Sequence, residues 1–107
     1  YVNFEFDSCW ATEVGVDTIA LMERLGERMK LYHINDRGTR MSGPGGQILK
    51  SDSMELGYGN MNLTKMVDIA QKNGVDAVIL ESHKNWVDKS TVKSFQLNAK
   101  FMNEYVV

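Results

Sequence analysis

Met29-Lys30-Leu31-Tyr32-His33 reads as a buried β-strand that ends in a residue able to bind a metal. Two other stretches have the same form. Val2-Asn3-Phe4-Glu5-Phe6 runs into Asp7, and Ala77-Val78-Ile79-Leu80 runs into Glu81. Each is followed by a segment of helical pattern, and strands separated by helices indicate βαβ units around a parallel sheet. In parallel α/β folds the carboxyl ends of the strands converge on one rim, where such proteins place their chemistry. Two carboxylates and an imidazole delivered to that rim are the donors of a divalent-metal site, for Mn²⁺, Mg²⁺, Co²⁺ or Zn²⁺. Taken singly, each has an ordinary alternative. A strand-end Asp often caps a helix, and a strand-end His often bonds a backbone carbonyl. Their joint occurrence at three successive strand ends favours the metal.

Outward from these strands the order is strand, helix, strand, long loop, helix, strand, loop, helix. The first helix has Asp17 as N-cap, Val16 and Leu21 at the positions of a hydrophobic staple, and Gly26 as a left-handed stop. The second spans residues 62–74, capped by Asn62, with Leu63, Met66, Val67 and Ala70 on one face. The last covers residues 90–105. Its stripe of Val92, Phe95, Ala99 and Met102, widened by Leu97, Phe101 and Tyr105, is expected to meet more than one neighbour. Residues 35–60 form a polar loop with Gly43-Pro44-Gly45-Gly46 and Gly57-Tyr58-Gly59, and loops of that length are usually functional or mobile.

Side chains alternate along a strand, which assigns faces. His33 goes with Leu31 and Met29, against Lys30, Tyr32 and Ile34. Glu81 goes with Ile79 and Ala77. Asp7 goes with Glu5 and Asn3, while Val2, Phe4 and Phe6 are expected to lie under helices. A face bearing Asn3, Glu5 and Asp7 is too polar to be covered by a helix, and the interior of a closed barrel accommodates it better.

The chain has 107 residues, 43% of them hydrophobic and 24% charged, which suits one soluble globular unit and argues against disorder. A net charge of −2 with scattered basic residues gives no reason to expect a nucleic-acid or membrane partner. No run of about 18 apolar residues is present to form a membrane-spanning helix. The lone Cys9 cannot form an internal disulfide, which fits a reducing cytosol and a cytoplasmic location. The sequence opens directly on the strand-like Tyr1-Val2-Asn3-Phe4, so it is expected to be a piece of a longer chain.

The remaining candidates weigh less. Gly43-Pro44-Gly45-Gly46 does not stand between a strand and a helix N-terminus as a phosphate-binding loop requires, and reads as a flexible loop. His83, Lys84 and Trp86 follow the third strand and could line a rim pocket, with Trp86 stacking on a sugar face or simply packed. The seven methionines are core filler. Cys9, beside the bulky Trp10, reads as packed rather than nucleophilic.

Phe4-Glu5-Phe6-Asp7-Ser8-Cys9-Trp10, Leu31-Tyr32-His33-Ile34-Asn35-Asp36-Arg37, Glu55-Leu56-Gly57-Tyr58-Gly59 and Val78-Ile79-Leu80-Glu81, in this order and spacing, resemble the last part of the xylose-isomerase-like TIM barrels. These are sugar and sugar-phosphate isomerases and epimerases, with endonuclease IV as a distant relative. The resemblance implies an α/β fold made of the last three βα units, β6 to α8, of an eight-unit barrel, at residues 1–27, 28–74 and 75–107 of one C-terminal domain fragment. It implies metal ligands at Asp7, His33 and Glu81, with a further Glu from the fifth strand that has no counterpart here. Glu81 would also be the catalytic acid/base, moving a proton next to a carbonyl through an enediolate. Arg37 would hold substrate hydroxyls or a phosphate, and Trp10 and Trp86 complete the expected substrate-binding set.

The departures are informative too. The endonuclease IV branch has a His where this chain has Trp10, and Asp and His where it has Ser51 and Ser53. Cleavage of damaged DNA is therefore disfavoured. Tyr58 stands where relatives commonly have Glu. The expected function is a divalent-metal-dependent isomerase or epimerase of a sugar or sugar phosphate, active in the complete barrel. The alternative is an inactive fragment or partner-binding module, because three strands cannot close a barrel of about eight. Its open sheet edges would take the missing N-terminal units or a second copy. A third reading is a dehydratase on the same scaffold.

Overall fold

A computed structural model describes residues 2–107, and Tyr1 of the expected first strand lies outside the described residues. The elements in order are β1 (Phe4–Asp7), α1 (Ser8–Glu13), α2 (Thr18–Leu25), β2 (Met29–Ile34), β3 (Asp36–Gly38), β4 (Asp52–Met54), α3 (Leu63–Lys72), β5 (Ala77–Leu80) and α4 (Thr91–Tyr105). Strands β1, β2 and β5 form one sheet in the order β1-β2-β5, all parallel. This is the mixed α/β arrangement with a parallel sheet that the alternation of strands and helices predicts.

One face of the sheet is covered. Phe6, Tyr32 and Ile34 point into a core shared with Met22 of α2 and with Leu63, Met66, Val67 and Ala70 of α3. The other face carries Glu5, Asp7, Leu31, His33, Ala77, Ile79 and Glu81, all partly or largely exposed. Alternation therefore assigns most positions correctly, with two corrections. Met29 is fully buried in the core and not on the face of His33. The β1–β2 register shifts between Phe4 and Glu5, and such a bulge adds a residue and reverses the alternation before it. Val2 and Phe4 are exposed, since β1 is an edge strand whose start no helix covers. The Arg28 guanidinium lies over the Phe4 ring instead, 5.0 Å from its centroid.

The helix punctuation follows the sequence. The Ala20 N–H donates to Asp17 Oδ1 at 3.1 Å, and Gly26 closes α2 with φ of 52°. Asn62 accepts from the Lys65 N–H, and Ser90 from the Lys93 N–H. Val16 stays exposed, so no buried staple accompanies the Asp17 cap.

Residues 35–60 are more organised than a loop. Strands β3 and β4 pair antiparallel, and an isolated bridge joins Met41 to Ile48 beyond them. Gly43-Pro44-Gly45-Gly46 is the turn at the tip, with the Gly46 N–H donating to Gly43 O at 2.8 Å. The base is tied by Asp36, which is 1% exposed. Its Oδ1 accepts from the Arg37 and Met61 N–H groups at 2.8 and 3.1 Å, and its Oδ2 from Gly57 and Gly59 at 3.0 and 2.9 Å. Gly59 has to be glycine there, because a Cβ would overlap the Asp36 carboxylate and the Arg37 carbonyl.

Helix α4 corrects the expected stripe. Its buried residues are Ser94, Asn98 and Phe101, while Val92 and Phe95 face outward. The first half of α4 lies on the polar turn after β4, while Phe101 and Met102 further along reach the hydrophobic core. Ser94 Oγ–H donates to Glu55 Oε1 at 2.7 Å, and the Leu56 N–H donates to Asn98 Oδ1 at 2.7 Å. Among the described residues no helix is long and apolar enough to cross a membrane.

Candidate metal centre

Parallel pairing sets Asp7 opposite His33 and His33 opposite Ile79, so Glu81 follows two residues beyond on the same face. The Glu81 N–H donates to Ile34 O at 3.0 Å, which carries the ladder to that point. One donor atom from each of Asp7, His33 and Glu81 then lies within 4.8 Å of the others. The structure thus brings together the three residues named from the sequence.

Each side chain is oriented by a second contact. Asp7 divides its two oxygens. Oδ1 accepts the Trp10 N–H at 3.0 Å and caps α1, while Oδ2 lies 3.9 Å from His33 Nδ1. The capping and rim roles of a strand-end Asp therefore coexist. His33 places Nδ1 3.3 Å from Glu81 Oε2 and Nε2 2.5 Å from Glu5 Oε1. Glu81 sets its other oxygen, Oε1, 3.0 Å from His83 Nε2.

Burial pushes the Asp7 carboxyl up, and its hydrogen bond to Glu81 adds to the rise. The same hydrogen bond holds Glu81 below the usual carboxylate range, with help from His33 and His83. Two acids this near each other disfavour each other's ionisation. A divalent cation between them would offset that repulsion. Ligands about 2.1 Å from a common ion stand roughly 3–4 Å apart, so a small inward movement of these donors suffices. Two carboxylates and a neutral imidazole suit Mn²⁺, Mg²⁺, Co²⁺ or Zn²⁺ and leave further positions for other ligands. The donor set fits such an ion.

The expected substrate-binding residues separate into two groups. Arg37 and Trp10 line one cleft of about 260 Å³, together with Lys50, Asp52, His83 and Lys84. Through His83 this cleft borders the acidic cluster. Arg37 Nε donates to Glu13 Oε2 at 2.5 Å, and Lys84 Nζ lies 2.9 Å from Asp52 Oδ2, so both cations have carboxylate partners. Trp86 is elsewhere, beside an apolar cleft with Leu80, Val92 and Phe95. Burial and the nearby Asp7 charge push the Cys9 thiol up to about 11, which leaves it a poor nucleophile.

Sequence reading missed Glu5 and the pairing of His83 with Glu81. A signal for Glu5 existed. It shares the face of Asp7 and pairs with Leu31, which makes His33 its diagonal neighbour.

No protein-family model matches the chain, and no curated protein matches it. Among solved structures it is similar to a sugar phosphate isomerase/epimerase from Parabacteroides distasonis ATCC 8503, with a TM-score of 0.71 over 94% of this chain at 23% identity. The match covers 30% of that chain, so the present sequence spans less than a third of its length. The likeness is one of fold: this chain has the shape of one part of that larger protein.

Proposed function

We propose that this chain supplies three ligands, Asp7, His33 and Glu81, to the divalent-metal site of a sugar or sugar-phosphate isomerase or epimerase. The observation that carries the reading is their convergence at the ends of adjacent parallel strands, in a fold like part of such a protein. In this reading residues 1–107 are the last three βα units of a barrel, and the open polar face is its interior. The remaining ligand and the closed cavity come from the other units.

A metal bound there would hold substrate oxygens and offset negative charge as it develops. The chain's own groups do the rest. Glu81 takes a proton from the carbon next to a carbonyl to give an enediolate and returns it to the neighbouring carbon on the same face. Inversion at one carbon needs the second glutamate, from the other units, to deliver a proton to the opposite face. His83, 3.0 Å from Glu81 Oε1, keeps that carboxylate aimed. Arg37 and Trp10 on the adjoining cleft hold hydroxyls or a phosphate, while Trp86 lies on a separate apolar cleft. The lone Cys9 is in keeping with a cytoplasmic setting.

A second reading has its own observations. Among the described residues the outer edges of β1 and β5 are unpaired, and Val92 and Phe95 are exposed on α4. Open edges and apolar patches invite association, so the chain alone would be an inactive piece that assembles with the remaining units. Turnover tests the first reading. In the complete barrel, Glu81→Gln is expected to lower kcat by about 10²–10⁴-fold on a sugar or sugar-phosphate substrate. Wild-type turnover in that variant would remove Glu81 from the mechanism.

A further inference from the structure

We propose that Asn35 and Ser53 are specificity residues of the cleft beside the metal centre, and that this cleft takes the hydroxyl groups of an unphosphorylated sugar rather than a phosphate. The substrate class rests on the isomerase or epimerase reading, but the cleft is built wholly from this chain. Asn35 is 2% exposed and Ser53 5%, and both line the cleft of about 260 Å³ that holds Trp10 and Arg37. Asn35 Oδ1 and Ser53 Oγ are buried without a hydrogen-bond partner. Native proteins pair nearly all such groups, so two on one cleft are unspent binding capacity. An amide oxygen only accepts. It needs a partner that donates, which a sugar hydroxyl does and a phosphate dianion, with acceptor oxygens alone, does not.

Charge points the same way. Arg37 Nε is 2.5 Å from Glu13 Oε2 and Lys84 Nζ is 2.9 Å from Asp52 Oδ2, and all four side chains border the cleft. A phosphate would meet both carboxylates and would have to break their pairs to gain either cation. Among the described residues Lys50 is the cation of the cleft outside these pairs, and it is exposed. A hydroxyl donates and accepts at once, so it fits beside paired charges without separating them. The Trp10 indole, 63% exposed, adds a flat apolar wall for the C–H side of a sugar ring. A site that bonds a hydroxyl with buried groups rejects ligands lacking it, because those groups are then left unpaired.

The test uses the 107-residue chain labelled with ¹⁵N, in EDTA so that no metal contributes. It is titrated with D-fructose, D-xylulose, their phosphate esters and inorganic phosphate. The amide signals of Asn35, Ser53 and Trp10 are expected to shift and saturate with at least one free ketose. Its phosphate ester should bind no more tightly, and inorganic phosphate should leave the signals in place. Ser53→Ala and Asn35→Leu should each weaken ketose binding about 2–10-fold, the worth of one hydrogen bond. Both should melt at the parent temperature or above it, since each removes a buried group that the fold leaves unpaired. A tighter phosphate ester, shifts with inorganic phosphate, or no response to either ketose overturns the proposal. So does a ketose affinity unchanged in the variants, or a Ser53→Ala chain that melts below the parent. Should Asn35→Leu fail to fold, Ser53→Ala decides alone. Mn²⁺ uptake by the same chain separates the two readings: uptake without ketose binding removes the subsite and leaves the metal site, and ketose binding without uptake does the reverse.

Discussion

Asp7 closes β1 and Asp36 stands two residues past the end of the neighbouring β2, as the first residue of β3, yet their carboxylates have opposite fates. Asp36 is buried, and its oxygens accept four backbone N–H groups from Arg37, Gly57, Gly59 and Met61. Asp7 accepts one N–H on one oxygen and turns the other towards His33 and Glu81. Glu55 and Glu81 repeat the contrast. Glu55 is buried and takes Arg40 Nη2 at 2.5 Å and Ser94 Oγ–H at 2.7 Å. Glu81 faces another acid and two imidazoles at the rim. The first pair is used up by the chain itself. The second retains binding capacity that the protein does not consume, which is what a ligand site requires.

The largest effect expected from this contrast is in Asp36→Ala. Four N–H groups lose their acceptor, at about 1–3 kcal/mol for each that stays buried. That total rivals the roughly 5–15 kcal/mol holding a typical domain together. No cooperative melt should be seen by circular dichroism, and a transition within a few degrees of the parent would break the comparison.

Glu55→Gln should cost less, about 1.5–3 kcal/mol for hydrogen bonds to a charged group. It also sharpens the comparison through pH. Burial raises the Glu55 carboxyl, but hydrogen bonds from Ser94 and Arg40 outweigh it and hold the group below the ordinary 4.5. A carboxyl depressed in the folded state stabilises above its unfolded value, and that stability is lost as pH falls through the folded value. Denaturant melts of the parent should therefore weaken below about pH 4.5, with a shallower acid limb in Glu55→Gln. Superimposable limbs would mean that Glu55 is no better satisfied than a surface acid.

The site was more legible from sequence than the structure around it. Apolar runs ending in Asp7, His33 and Glu81 fix strand ends, and parallel pairing of neighbouring strands brings such ends together with little freedom. The caps Asp17 and Asn62 were readable because their side chains act within four residues. What escaped depends on distant partners. Strands β3 and β4 are three residues each and show no alternation to read, since contacts between residue 36 and residues 57–61 place them. The buried face of α4 is polar at Ser94 and Asn98 because its partner is a turn, and a search for apolar stripes favours Val92 and Phe95 instead. Glu5 was hidden for a similar reason, since its contact with His33 appears only once the register puts the two side by side.

The central claim, that Asp7, His33 and Glu81 form a divalent-metal site, is tested most directly by Mn²⁺ electron paramagnetic resonance on the 107-residue chain and on Glu81→Gln. With one ligand of the complete site absent, weak binding is expected. The free-ion signal should fall as parent protein is added and stay near that of buffer with Glu81→Gln, while the two metal-free proteins melt at similar temperatures. At Mn²⁺ about 100 times its dissociation constant, the parent should also gain about 2.7 kcal/mol of stability that the variant lacks. Equal Mn²⁺ uptake by both proteins, or none by the parent at millimolar protein, would contradict the account.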